Sequence, residues 1–229
     1  MQLGLQIQKQ KGYTLIELMI GLLVGLIVLS AVIYAFISTL RSSADILNSA
    51  RLNREMSNLS DIVAGELRRI GYWPVNSGTD SPFGASPDLA LLPAGNNGVD
   101  ATCILYSYYN DSVSPGAQIY RGMAMASGAL YYSDVSSGSL SSATNCDPVG
   151  DGWAELSNPS FLTVNDFSLT LECYAVLTAA STAYNDCKTT AGASYTRAIS
   201  FALDVELDSD SSWTSSISDT VKLQNDLSN

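Results

Sequence analysis

The chain of 229 residues contains no histidine, and only 14% of its residues are charged. Without histidine, the usual general base for a serine or cysteine nucleophile is missing. No phosphate-binding glycine loop, dinucleotide fingerprint or zinc-hydrolase motif occurs, so an enzyme is not expected, and no cofactor or metal is implied. Basic residues are scarce beyond position 72. Residues 73–229 hold four against 17 acidic ones, whereas residues 13–72 hold five of each. So acidic a segment lacks the basic footprint that nucleic-acid binding needs, and its charge favours solubility outside a membrane. No proline precedes Pro74, so none interrupts a long N-terminal helix. Cysteine is limited to Cys103, Cys146, Cys173 and Cys187, none in a C-x-x-C pair. Their wide spacing fits a zinc site poorly and reads as two disulfides in an oxidising compartment. Of the three pairings, Cys103–Cys146 and Cys173–Cys187 close the nearest loops and are the ones expected.

What the chain does have is a long apolar run. Residues 15–40 contain one charge, Glu17, and no charged residue follows it until Arg41. As a helix this stretch is about 39 Å long, enough to cross a bilayer core with tilt. Lys9 and Lys11 precede it, which keeps the N-terminus cytoplasmic and the bulk of the chain outside. A secretory signal peptide is a poor fit, because its apolar region spans about 7–15 residues and ends at a small-residue cleavage site. A plain signal anchor does not explain the carboxylate. A charge at membrane depth costs about 2.5–3.5 kcal/mol near a helix centre and less near an end, and such a group usually has a function and a partner. Gly21-x-x-x-Gly25 permits close helix approach in a membrane.

Lys11-Gly12-Tyr13-Thr14-Leu15-Ile16-Glu17-Leu18 resembles the class III leader of type IV pilins and pseudopilins. The resemblance implies cleavage by prepilin peptidase between Gly12 and Tyr13, N-methylation of the new amine on Tyr13, and a glutamate, Glu17, at the fifth position of the mature chain. Tyr13 stands where the family most often has Phe. Many major pilins carry a proline in the membrane segment; here Gly21 and Gly25 are the positions at which the helix could loosen, since glycine weakens a helix by about 1 kcal/mol relative to alanine. After cleavage the Tyr13 amine is cationic. In a bundle, Glu17 of one subunit can meet the amine of the next, so that both charges are neutralised at low dielectric, where leaving one unpaired is costly.

Beyond residue 40 the pattern turns amphipathic. Leu47, Leu52, Met56, Leu59, Val63, Leu67 and Ile70 recur at mostly three- and four-residue steps. Arg68 and Arg69 suit a helix C-terminus, and Gly71 a stop, so one helix is expected over 14–70, roughly 85 Å. Residues 73–100 read as loop. Short β-like runs at 102–109, 118–121, 129–133, 168–173, 197–207 and 218–223 imply an antiparallel sheet packed on the second half of the helix, an α+β head. Alternation from Ile199 to Leu207 marks a half-buried strand most clearly. The many tyrosines fall in these runs and read as sheet packing rather than a binding face. Asp204, Glu206, Asp208 and Asp210 alternate, but without the spacing and glycine of a calcium loop; they read as a solvated face, and the metal assignment is none.

Glu66-Leu67-Arg68-Arg69-Ile70-Gly71-Tyr72 and the close Val221-Lys222-Leu223-Gln224-Asn225-Asp226-Leu227 resemble PilW-type minor pilins. This implies a type IV pilin-like fold with a leader at 1–12, a membrane or filament-core helix at 13–40, an amphipathic helix half at 41–71 and a β-rich periplasmic or extracellular head at 72–229. The implied role is a subunit of a tip complex that primes pilus assembly. Its implied partners are other minor pilins, the major pilin and prepilin peptidase. The implied location is the inner membrane, single-pass, and then the pilus. A J-type minor pseudopilin of type II secretion and a pilus-tip adhesin module are the alternative readings.

Overall fold

The computed structural model describes residues 12–74, 88–92, 100–110, 117–135, 146, 148, 152–175, 181–182 and 195–223. The chain divides into two compact units, Met1–Ala50 and Arg51–Asn229.

In the first unit, α1 (Leu15–Leu67) begins. From Leu15 to Leu40 it is almost wholly apolar, uninterrupted and exposed. The hydroxyls of Ser30, Thr39 and Ser43 donate to the carbonyls of Leu26, Ala35 and Thr39, four residues back, at 2.8–2.9 Å. These polar groups are therefore satisfied within the helix, which is what an apolar surrounding demands. Leu47 was expected in the buried stripe but is 70% exposed.

In the second unit α1 continues as the amphipathic half. Leu52, Met56, Leu59, Val63 and Leu67 are buried at the expected spacing. The strands are β1 (Leu89–Leu92), β2 (Cys103–Asn110), β3 (Ala117–Ala126), β4 (Ala129–Val135), β5 (Trp153–Glu155), β6 (Leu162–Ala175), β7 (Ser181–Thr182), β8 (Tyr195–Leu207) and β9 (Asp210–Lys222). They form two antiparallel sheets where one was expected. The order is β1-β2-β3-β4-β5 in the first and β7-β6-β8-β9 in the second. An isolated bridge, Ala101 to Leu169, joins them. β1 falls inside the segment read as loop, and β5 and β7 were not expected at all. They are two to four residues long, too short for alternation to show.

β8 alternates as predicted. Ile199, Phe201, Leu203, Val205 and Leu207 are buried, and Ser200, Ala202, Asp204 and Glu206 between them are not. The inner faces of both sheets share one core with the helix stripe, including Ile104, Tyr106, Met123, Leu130, Phe167 and Leu169. Each large apolar side chain so placed stabilises the fold by about 1.5–3 kcal/mol. The fold is α+β and pilin-like, a long helix with antiparallel sheets.

A second, smaller cluster lies on the far side of the first sheet. Leu92, Cys103 and Ala124 are covered there by Leu105, Cys146 and Trp153. Its centre is Gly122, where a Cβ would stand 2.7 Å from the Trp153 ring and 2.8 Å from Leu105 Cδ2. Glycine is required because the indole occupies the place of a side chain.

Candidate functional site

At the N-terminal end, Gly12, Tyr13 and Thr14 lie outside the helix and are exposed, Tyr13 by 81%. The Gly12–Tyr13 peptide bond is therefore in non-helical, accessible chain just ahead of the first helical turn. Lys9 and Lys11 lie outside the described residues. Thr14 Oγ1 accepts from the Glu17 N–H at 3.3 Å, while a Glu17 carboxylate oxygen accepts from both the Thr14 N–H and its hydroxyl at 3.3 Å. This reciprocal arrangement is a capping box, with Thr14 as N-cap and Glu17 three residues on. The carboxylate also sits at the positive end of the helix dipole. Thr14 was not singled out from the sequence, although Thr-x-x-Glu before an apolar run is the signature of this box. Gly21 and Gly25 have open space around them, and α1 runs through both without a break.

The other end of α1 is fixed to the first sheet by the segment from Glu66 to Tyr72. The helix stops at Leu67 because the next amides tighten: Arg69 N–H reaches Glu66 C=O and Ile70 N–H reaches Leu67 C=O, both three residues back. Arg68 and Arg69 therefore lie in the closing turn rather than in the helix. Gly71 takes φ 71°, a left-handed conformation that disfavours any side chain. That reversal lets Gly71 N–H donate to Ser107 C=O at 3.0 Å and Tyr72 C=O accept from Tyr109 N–H at 2.8 Å. Residues 71–72 thus take up the stretch of β2 that β1 leaves unpaired. Trp73 meets Tyr109 edge to face at 4.8 Å.

Glu66 faces the same strand. The buried Tyr106 hydroxyl donates to one carboxylate oxygen at 2.8 Å, and Arg69 pairs with the other at 2.8 Å. Arg69 also lies 5.8 Å from the Tyr108 ring centroid. Burial first, and then the Glu66 carboxylate, push the Tyr106 hydroxyl well above its ordinary range, so it remains a donor. Glu66 raises Arg69 in the same way.

The staple expected between Cys103 and Cys146 is present. Cys173 is buried and disulfide-bonded; Cys187, its expected partner, lies outside the described residues. Nothing local in the sequence marks the buried ion pair between Asp88 and Arg197. It is bidentate at 2.9 and 2.7 Å, with both side chains at most 6% exposed. It ties the residue ahead of β1 to β8 and so joins the two sheets. The acidic alternation is solvated, as expected. Asp204, Asp208 and Asp210 are exposed, Glu206 accepts from Asn165 at 2.9 Å, and Asp210 caps the Ser212 amide at 3.0 Å. The Ser212 bonds hold the Asp210 carboxyl below its usual range. No cluster of three or more metal-ligating side chains occurs among the described residues.

Two comparisons bear on these features. The prokaryotic N-terminal methylation motif matches residues 7–33, which include Gly12, Tyr13 and Glu17. The family described as prepilin peptidase-dependent protein B matches residues 45–223, which include the whole two-sheet head. No curated protein and no solved structure matches the chain. The exposed Gly12–Tyr13 bond, the capped apolar helix and the stapled head fit both matches. The chain belongs to the prepilin peptidase-dependent protein B family and is a type IV pilin-like protein.

Proposed function

We propose that this protein is a minor subunit of a type IV pilus, of the PilW type, acting in a tip complex that primes assembly with other minor pilins and the major pilin. The observation that carries this reading is the Glu66–Tyr72 close of the helix, the segment resembling PilW-type minor pilins, in which Glu66, Arg69, Gly71 and Tyr72 each bond to another residue of the second unit. In this reading residues 1–12 are the leader, which prepilin peptidase removes between Gly12 and Tyr13. The Tyr13 amine is then methylated. Residues 13–40 cross the inner membrane with the N-terminus cytoplasmic and later form filament core. Residues 41–71 are the amphipathic half, and residues 72–229 form the head on the far side. Glu17 meets the Tyr13 amine of a neighbouring subunit. An accessible, non-helical Gly12–Tyr13 bond supports cleavage there, and a carboxylate held at the helix start supports the contact.

Deletion of the gene tests the role. The expected result is loss of surface pili, restored by the wild-type gene, with normal export of secreted enzymes. Pili that persist while export fails point to a J-type pseudopilin. Pili that persist while attachment is lost point to a dedicated adhesin.

A further inference from the structure

The apolar part of α1 is longer than a membrane needs. Residues 15–40 carry one charge and, as uninterrupted helix, extend about 39 Å. A hydrocarbon core is about 30 Å thick. Three placements are open to such a segment. The core can cover residues 15–33 and leave 34–40 beyond it. It can cover residues 22–40 and leave 15–21 on the near side. Or the helix can tilt by about 40°, the extreme of the usual range, and keep the whole run inside.

The side chains separate these placements. Tyr13 and Tyr34 stand near the two ends of residues 15–33, a helical stretch of about 29 Å. Tyrosine collects at membrane–water interfaces, because its ring suits the headgroup layer while its hydroxyl needs a polar partner. In the second placement the Tyr34 hydroxyl is carried about 9 Å into the hydrocarbon. The Thr39 hydroxyl is satisfied at depth by donating to Ala35 C=O at 2.9 Å. A tyrosine ring holds its hydroxyl away from the backbone and closes no such bond. The second placement also leaves Leu15, Ile16, Leu18, Met19 and Ile20 in water. The first leaves only Phe36, Ile37 and Leu40 there, two fewer large apolar side chains. Against the first stands Glu17, just inside the boundary. Its carboxylate is turned back onto the Thr14 N–H and hydroxyl at 3.3 Å, so the charge is drawn to the interface. Full tilt buries the Tyr34 hydroxyl as the second placement does.

We infer that the hydrocarbon core covers residues 15–33 alone, with Tyr13 and Tyr34 anchored in the two headgroup layers and the apolar residues from Ala35 to Leu40 standing beyond it. The span is thus set by the aromatic pair and not by the extent of the apolar run. The Thr14–Glu17 cap lies at the boundary next to Tyr13. Phe36, Ile37 and Leu40 meet headgroups and water at the other face. Arg41, the first charge after Glu17, is about 10 Å past Tyr34 and takes no part in fixing the boundary. This inference rests on the proposed membrane crossing of α1 and narrows it from residues 13–40.

Single cysteines in the full chain test it, in membranes broken open so that both faces meet a water-soluble maleimide. The reagent attacks thiolate, which hydrocarbon suppresses, so the bilayer alone protects. The wild-type chain sets the background, its Cys103, Cys146 and Cys173 being disulfide-bonded. Met19→Cys and Val28→Cys are expected to be protected, and Ser38→Cys to label at least about tenfold faster than either. Moving the anchor, by Tyr34→Leu with Leu40→Tyr, should shift the helix about 9 Å through the bilayer, exposing Met19→Cys and protecting Ser38→Cys. Faster labelling of Met19→Cys than of Ser38→Cys in the otherwise native chain overturns the inference in favour of residues 22–40. Equal protection of the two overturns it in favour of full tilt. Equal labelling of the two, with Val28→Cys protected, overturns it in favour of a shorter span. No change on moving the anchor overturns the role of Tyr34. Labelling of Val28→Cys means instead that the segment does not cross, and the proposed crossing itself fails. If Ser38→Cys does not accumulate, Ile37→Cys decides by the same criteria.

Discussion

Glu17 caps the helix in the structure and has a proposed second task in assembly, and Glu17→Gln separates the two. In the structure its side chain closes a capping box with Thr14, and glutamine serves in that position as well as glutamate. Glu17→Gln therefore leaves the helix start intact, whereas Glu17→Ala removes part of the cap at a cost of about 0.5–2 kcal/mol. The proposed contact with the Tyr13 amine of a neighbour needs the negative charge. Without it an ammonium is left uncompensated in the packed helix bundle, which costs about 3 kcal/mol or more, a factor of about 10² in the equilibrium for joining a filament. Both variants should still be cut after Gly12 and remain in the membrane. N-terminal mass spectrometry checks cleavage and methylation. Immunoblots of sheared pili against membranes check incorporation, which should fall about 100-fold for both. If Glu17→Gln incorporates like the wild type while Glu17→Ala does not, the carboxylate is only a helix cap and the charge argument is refuted.

Three further expectations concern the head. Asp88→Asn strands a buried guanidinium and should cost about 3–5 kcal/mol, read as a Tm fall of roughly 6–20 °C; Asp88→Leu with Arg197→Met should recover most of it in a double-mutant cycle by urea unfolding. Tyr106 has its pKa raised in the fold above the ordinary value of 10.0, so its contribution is complete below about pH 10 and is lost as pH climbs through the folded value. Tyr106→Phe should remove that alkaline loss and cost about 1–2 kcal/mol at neutral pH, both measurable from denaturation midpoints against pH. Gly122→Ala drives a methyl into Trp153 and should cost about 1–3 kcal/mol, with a red-shifted tryptophan emission as the indole is displaced.

The features legible in the sequence are those set by local pattern. The apolar run, the helical stripe from Leu52 to Leu67 and the alternation of β8 each depend on spacing along the chain, and each appears in the structure. Gly71 was legible as a stop for the same reason. The split into two sheets was not, because strand partnership depends on pairing across long separations that periodicity does not encode. β1 was missed because its four residues sit among loop-forming neighbours. Asp88 and Arg197, 109 residues apart, had no local signature: a buried bidentate pair looks in sequence like two ordinary surface charges. Tyr106 was read correctly as sheet packing, but its bond to Glu66 depends on a helix end meeting the middle of a strand, which only the fold brings together.

The polar contacts between helix and head are placed at the two ends of the buried helical segment, and that placement has a physical consequence. Apolar packing of Leu52, Met56, Leu59, Val63 and Leu67 is strong but non-directional; by itself it resists sliding along the helix axis only through side-chain shape. At one end, Arg51 lies 3.9 Å over the Phe161 ring and Asn53 accepts from Ser215 at 3.2 Å. At the other, Glu66 holds Tyr106, and the backbone of residues 71–72 joins β2. Directional bonds at both ends define one register for the helix on the sheets, since a one-residue slide would break all of them together. In the proposed pilus role, a subunit incorporated through its N-terminal helix would transmit any pull on that helix to its head through this segment. The Glu66–Tyr72 close can therefore be understood mechanically: a helix that simply frayed after Leu67 would leave the far end of the register to non-directional packing.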